Sequence, residues 1–258
     1  MSSMLNYRRR SPRPARPAFR DALASMSLAL ASHRVSLVGG DARAKCGRSR
    51  SLVARASIVE QVTKISFPER ANGQTCVGAG ARVKRVAIID VKVYALAMYV
   101  DEQRAKVEKS RGFLRGTFDK TLSVVLARDV EGKDFGAALD EALIPRLREI
   151  ATNMATKEDA NGDFMATTAE AAEEAEEKAN EELEALRDAL ARKKLKSGTQ
   201  LTIAWTPEAR VKARIEVLGD VVEFASAELA MALLDTYVGP QAVSPGARDA
   251  FIKGLAAL

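Results

Sequence analysis

Apolar positions recur with a period of two in some parts of the chain and a period of three to four in others, and the switch between the two periods outlines the elements. Val62 to Phe67 alternates apolar and polar residues before Pro68, which predicts a half-buried first strand. Arg82 to Ile88 and Lys92 to Val100 read as a hairpin, and Thr121 to Leu126 as a further strand. Leu201 to Trp205 and Lys212 to Val217 form a second hairpin around Thr206-Pro207-Glu208. Helical spacing appears at Glu102 to Leu114, a charged surface helix, and at Lys133 to Ile150, whose apolar face is Phe135, Leu139, Ala142, Leu143 and Leu147 with a kink near Pro145. Thr167-x-x-Glu170 is a capping box that opens a long helix to about Lys196, with a narrow stripe of Ala172, Ala175, Ala179, Leu183, Leu186 and Leu190. Ser226 caps a helix to about Tyr237 that stops at Gly239-Pro240, and Ser244-Pro245 opens the last one. Hairpins with helices massed after them predict an α+β domain, an open sandwich in which an antiparallel sheet has helices layered over one face. Trp205 is expected in the core or on the sheet face.

The most informative stretch is residues 78 to 100, GAGARVKRVAIIDVKVYALAMYV. The glycines Gly78 and Gly80 are read as a close backbone turn under Arg82, which sets a guanidinium at the edge of an apolar run. A phosphate-binding reading fails, because no Gly-Lys-Ser/Thr follows and Val83 stands where a dinucleotide fingerprint needs its third glycine. A buried guanidinium keeps its charge and needs an anion, and its planar donors match a carboxylate. The pattern therefore favours a pocket for an acidic, apolar ligand. Side chains alternate faces along a strand, so a three-residue loop (Ile89, Asp90, Val91) puts Arg82 on one face with Tyr94, Leu96 and Met98, whereas a two-residue loop puts Tyr94 on the other. The competing role for Arg82 is a structural ion pair with an acid such as Glu60 or Asp235.

Charge divides the chain. Residues 1–56 hold twelve Arg or Lys against Asp21 and Asp41, a charge of +10, while the whole chain is +6, which leaves −4 for residues 57–258. The basic character belongs to the leader, and nucleic acid is not an expected partner. An Arg-, Ser- and Ala-rich, acid-poor leader has the composition of an organelle transit peptide, disordered before processing. Val53-Ala-Arg-Ala56 before Ser57 resembles a plastid processing site, so the chain is expected in the plastid stroma, with the mitochondrion second and a plain basic arm as the alternative. The only histidine, His33, and Cys46 lie in that leader. Residues 57–258 thus lack the inventory for Ser-His-Asp or Cys-His catalysis, a His-ligated metal or an internal disulfide, and Cys76 is read as a small residue without a role. No metal and no cofactor is expected, and no apolar run reaches the ~18 residues of a membrane span.

The stretch Gly78-x-Gly80-x-Arg82 followed by Lys92-Val93-Tyr94-Ala95 resembles the chalcone-isomerase superfamily. Further matches are Phe135 with Ala138, Leu139, Leu143 and Pro145, Ser197-Gly198-Thr199 before Trp205, Asp235-Thr236-Tyr237-Val238-Gly239, and Val243-Ser244-Pro245-Gly246, so the resemblance runs from about residue 59 to 258. It implies a chalcone-isomerase-like fold and, in the enzymes, a pocket where an arginine steers the substrate oxyanion while a threonine, a tyrosine and an asparagine hydrogen-bond the substrate. Arg82 stands at the arginine position, but Tyr94 replaces the strand threonine, Phe135 the tyrosine and Ala142 the asparagine, with Thr236 at a late-helix threonine. Phe135 and Ala142 offer no side-chain donor or acceptor. The resemblance is nearest to the plastid chalcone-isomerase-like fatty-acid-binding proteins, which implies a non-catalytic protein holding a long-chain fatty acid by its carboxylate at Arg82 and Tyr94, its chain along Leu96, Met98, Phe135 and Leu139. The alternatives are an isomerase of the intramolecular-lyase type and an auxiliary subunit that binds a protein of a flavonoid-type pathway.

Overall fold

The computed structural model describes residues 56–86, 88–158, 164–166, 169–207 and 211–258. The expected leader, the capping residue Thr167 and the turn at Glu208 lie outside them. Seven strands form one antiparallel sheet: β1 (Arg70–Ala71), β2 (Gln74–Val86), β3 (Ile89–Val100), β4 (Lys120–Leu126), β5 (Gln200–Pro207), β6 (Val211–Val217) and β7 (Asp220–Phe224). Their spatial order is β7-β6-β5-β4-β3-β2-β1, so every neighbour in sequence is a neighbour in the sheet. Between β3 and β4 lie the short helices α1 (Glu102–Glu108) and α2 (Gly112–Arg115), with a 3₁₀ turn over Lys109–Arg111. Two long helices, α3 (Gly132–Ala155) and α4 (Ala169–Ala191), precede β5, and α5 (Ala227–Val238) and α6 (Pro245–Ala257) end the chain.

Alternation decides which face each strand residue serves. Tyr94, Leu96, Met98, Leu122, Val124, Leu126, Leu201, Ile203 and Trp205 face the helices and join Leu139, Leu143, Leu147, Leu186 and Leu233 in one core. Trp205 is buried and its indole N–H donates to the Ala230 carbonyl at 2.9 Å, which ties α5 to β5. The intervening residues Ala95, Ala97 and Tyr99 form a second, smaller core with Phe67. That patch is roofed by a short hairpin, Ser57–Val59 paired with Ser66–Pro68, and the Tyr99 hydroxyl donates to the Pro68 carbonyl at 2.9 Å. Helices over one face of an antiparallel sheet are the α+β architecture expected from the pattern.

Four local readings change. Val62 to Phe67 is not a strand: the Glu60 carboxylate accepts from the backbone N–H groups of Val62 (2.8 Å) and Thr63 (2.6 Å), and Lys64 takes a positive φ of 65°, so only Ser66–Pro68 pairs. The expected turn at Gly78 and Gly80 is a strand interior. A Cβ on Gly80 would stand 2.5 Å from Ala247 Cα and one on Gly78 2.8 Å from the Ala250 carbonyl oxygen, so these glycines admit α6 against β2. The helix expected to run to Lys196 stops at Ala191, because Lys194–Leu195 turns back to pair with Val130–Glu131. A further strand, β7, follows β6 through Leu218 (φ 52°) and Gly219 (φ 85°), both left-handed as a tight two-residue hairpin turn requires.

Candidate functional site

The hairpin β2–β3 turns in two residues, since Val86 pairs with Ile89. That register alone would send Tyr94 to the face opposite Arg82, contrary to the three-residue loop that the pocket reading needed. A β-bulge restores the arrangement. Val83 pairs with Lys92 but Arg82 pairs with Tyr94, so Val93 is the extra residue that shifts the register by one. From there Arg82, Gly80 and Gly78 lie opposite Tyr94, Leu96 and Met98 on the helix-facing side.

Arg82 is half-buried and its Nη1 donates to the Tyr94 hydroxyl at 3.2 Å. The guanidinium carbon stands 5.8 Å from the Tyr94 ring centroid. Tyr237 of α5 stands as a second phenol beside Tyr94, close enough that each influences the ionisation of the other. Burial raises the Tyr94 pKa, and Arg82 and Tyr237 pull only partly the other way. Burial also works against the Arg82 charge, but Tyr94, Tyr237 and Glu141 of α3 outweigh it and hold the guanidinium firmly protonated. At neutral pH the site is thus a fixed cation and two neutral phenols.

Neither acid weighed as a structural partner reaches Arg82. Asp235 pairs with Arg146 at 3.1 Å, and Glu60 closes its own turn. Among the described residues no carboxylate lies within ion-pair distance of Arg82, although Arg146, Arg187 and Arg70 each have one. The α6 N-terminus is anchored beside it, where the Ser244 hydroxyl donates to the Ala81 carbonyl at 2.7 Å.

The remaining expected site residues fall into two groups. Leu96 and Met98 continue the face of Tyr94 but are fully buried, packed against the helices. Leu139 and Ala142 of α3 are buried and Phe135 is half-buried at the edge of the same core. Thr236 is buried on α5, but its hydroxyl donates to the Ala232 carbonyl of its own helix at 2.8 Å. It is engaged there, and its neighbour Tyr237 supplies the hydroxyl at the site. Sequence reading placed Tyr237 in the late motif without a role; a phenol in the last turn of an otherwise apolar helix was the available signal. Two residues beyond Arg82, Lys84 borders an open groove of about 550 Å³ whose apolar floor includes Val91, Val93, Val130 and Leu195. Among the described residues no cluster of His, Cys, Asp and Glu is arranged to hold a metal ion, and no helix is long and apolar enough to cross a membrane.

Among solved structures the chain is similar to a fatty-acid binding protein of Arabidopsis thaliana, with a TM-score of 0.59 and 17% identity over 78% of this chain and 98% of that one. The fold is chalcone-isomerase-like. No family model matches the sequence, and no curated protein matches it. Within this fold the phenol, the guanidinium and the second phenol come from β3, β2 and α5, so the site depends on the sheet and its helical layer closing on one another.

Proposed function

We propose that the protein is a non-catalytic carrier of long-chain fatty acids that binds the acyl carboxylate through Arg82 and the Tyr94 hydroxyl. The observation that carries this reading is a half-buried guanidinium that donates to the Tyr94 phenol and has no carboxylate within ion-pair distance among the described residues, on the strand face that continues into the buried Leu96 and Met98. Such a cation gains most from an anion brought by a ligand. The shared fold with the Arabidopsis fatty-acid binding protein supports the ligand class. Catalysis of the chalcone-isomerase kind would need polar groups where Phe135 and Ala142 stand, and neither side chain can polarise a carbonyl or hold a water.

The acyl chain leaves the carboxylate site along Val93 toward the open groove, or parts Phe135 and Leu139 from the strand face. The first route is floored by Val91, Val93, Val130 and Leu195 and rimmed by charged side chains, and the second is apolar. Isothermal titration of one C12 to C18 acid and of its methyl ester tests the anchor. The acid binds the wild type more tightly than the ester, and Arg82→Met removes roughly 2 to 5 kcal/mol of acid affinity by leaving a carboxylate in a dry site. Because a fatty acid can enter protonated, the residual binding of that variant strengthens as pH falls through the carboxyl range, and that of the wild type does not. Equal affinity of acid and ester for the wild type refutes the anchor.

The compartment proposed for this carrier is the plastid stroma, on the composition of the leader and the Val-Ala-Arg-Ala string. N-terminal sequencing of protein recovered from plant cells is expected to begin within a few residues of Ser57, and an intact Met1 would refute processing.

A further inference from the structure

The β2–β3 hairpin projects beyond the sheet. β4 pairs with β3 from Tyr94 onward and the Ala127 N–H donates to the Val93 carbonyl, so Ile89 to Lys92 and their partners on β2 reach past the last strand pairing by roughly 13 Å at about 3.3 Å per residue. The tip is apolar and uncovered: Ile88 is 88% exposed and Ile89 65%. Val83 lies exposed on the shaft. Val62 lies beside it, its carbonyl accepting from Lys92 Nζ at 2.5 Å, and is exposed as well. Cations ring this apolar end. Arg85 and Lys92 share one face of the shaft with Val83, and Lys84 lies on the other, where Arg128, Lys194 and Lys196 border the groove. The acids of the region, Asp90, Asp129, Glu131 and Asp134, are fewer, and Asp129 accepts from the Ser197 backbone N–H.

We propose that this hairpin is a membrane-docking prong, which inserts Ile88 and Ile89 into the boundary between headgroups and acyl chains of an anionic bilayer while Lys84, Arg85 and Lys92 contact the headgroups. An apolar tip flanked by Lys and Arg matches the two attractions of an interfacial element, burial of side chains in the acyl boundary and neutralisation of lipid phosphates. A protein partner fits less well. Stable protein interfaces bury roughly 1,200–2,000 Å², and a convex, two-residue tip on a charged shaft offers no flat surface of that kind. Lipid adapts to a narrow prong. The docking stands without the fatty-acid reading; if both hold, Arg82 at the neck of the hairpin lies close to the surface from which an acyl chain arrives.

The test uses the full chain and vesicles of phosphatidylcholine with or without about one-third phosphatidylglycerol. Wild type is expected to float with the anionic vesicles, to bind the neutral ones weakly, and to lose binding as salt rises. Ile88→Ser with Ile89→Ser, at positions too exposed to disturb the fold, lowers partitioning roughly tenfold or more with an unchanged melting curve. Because the basic leader can itself attract anionic lipid, the decisive readout is local. Ile88→Trp, read as a difference from the wild-type emission of Trp205, shifts to the blue on binding and is quenched by lipids brominated near the headgroup. Vesicle binding without quenching of that tryptophan, or binding unaffected by the double serine variant, assigns the attraction to another surface and overturns the proposal. Retention on an acidic protein with no vesicle binding makes the hairpin a protein-docking element and overturns it equally.

Discussion

The Tyr94 oxygen accepts from Arg82 and lies beside the Tyr237 phenol, and in the proposed complex the Tyr94 proton is the donor to the carboxylate, so removing either hydroxyl has a distinct effect. Tyr94→Phe keeps the ring that fills the core and deletes one donor to the carboxylate. A hydrogen bond of this kind contributes roughly 1 to 2 kcal/mol, so affinity for a C12 to C18 acid falls about five- to thirtyfold. Tyr237→Phe leaves the Arg82–Tyr94 pair in place and removes only the neighbouring hydroxyl. Its cost is smaller, about 0.5 to 1.5 kcal/mol. The two hydroxyls are neighbours that influence one another, so the double variant loses less than the sum of the single losses. Titration of the acid and its methyl ester against all four proteins closes the cycle, and thermal melting confirms that each remains folded. Tyr94→Phe with unchanged acid affinity, or with equal loss for acid and ester, would refute the hydrogen-bonding role. Additive losses would mean that Tyr237 acts through packing alone.

Three further outcomes follow from packing and burial. Gly80→Ala puts a methyl carbon about where Ala247 Cα approaches to 2.5 Å, so α6 must shift and stability measured by urea unfolding falls by about 1 to 3 kcal/mol. Gly73→Ala serves as a control for the backbone, since nothing lies within 4 Å there and only its φ of 78° opposes the change. Lys120 is buried, with its amine donating to the Gly116 and Phe118 carbonyls, and burial pushes its pKa down to about 8 against the opposing pull of Glu108 and Asp119. Between about pH 8 and pH 10 the unfolded chain holds that proton and the folded chain does not, so stability rises with pH, by up to about 3 kcal/mol. Above pH 10 it falls, because Tyr94, Tyr99 and Tyr237 all have pKa values raised by burial and ionise first in the unfolded chain. Lys120→Met abolishes the rise and keeps the fall; a melting temperature flat from pH 8 to 10 in the wild type would count against the buried amine.

Much of this architecture was legible because it depends on periodicity. The alternation over Tyr94 to Val100 and Thr121 to Leu126 and the three-to-four spacing from Lys133 to Ile150 survive folding, since each is a one-dimensional trace of a face that must be buried. The site was legible only in part, for a reason visible at Val93. An arginine and a tyrosine twelve residues apart meet or miss according to a single residue of register, and no local property of Val93 announces that it is unpaired. The turn length was read as three to satisfy the chemistry, whereas the chain turns in two residues and recovers the parity through the bulge. Tyr237 was hidden differently. On its helix it is one apolar-face residue among Leu229, Leu233 and Leu234, and its hydroxyl acquires a role only when α5 lies across β3 and meets an oxygen already held by Arg82. Gly78 and Gly80 show the same limit from the other side. Their permissiveness signals close approach of some backbone, but whether that backbone is their own turn or a helix some 170 residues away is decided by α6. The bulge, the second tyrosine and the glycine track together fix where Arg82 points. The guanidinium is thus held by long-range packing, and a variant that loosens α6 is expected to weaken acid binding while every ligand contact remains chemically intact.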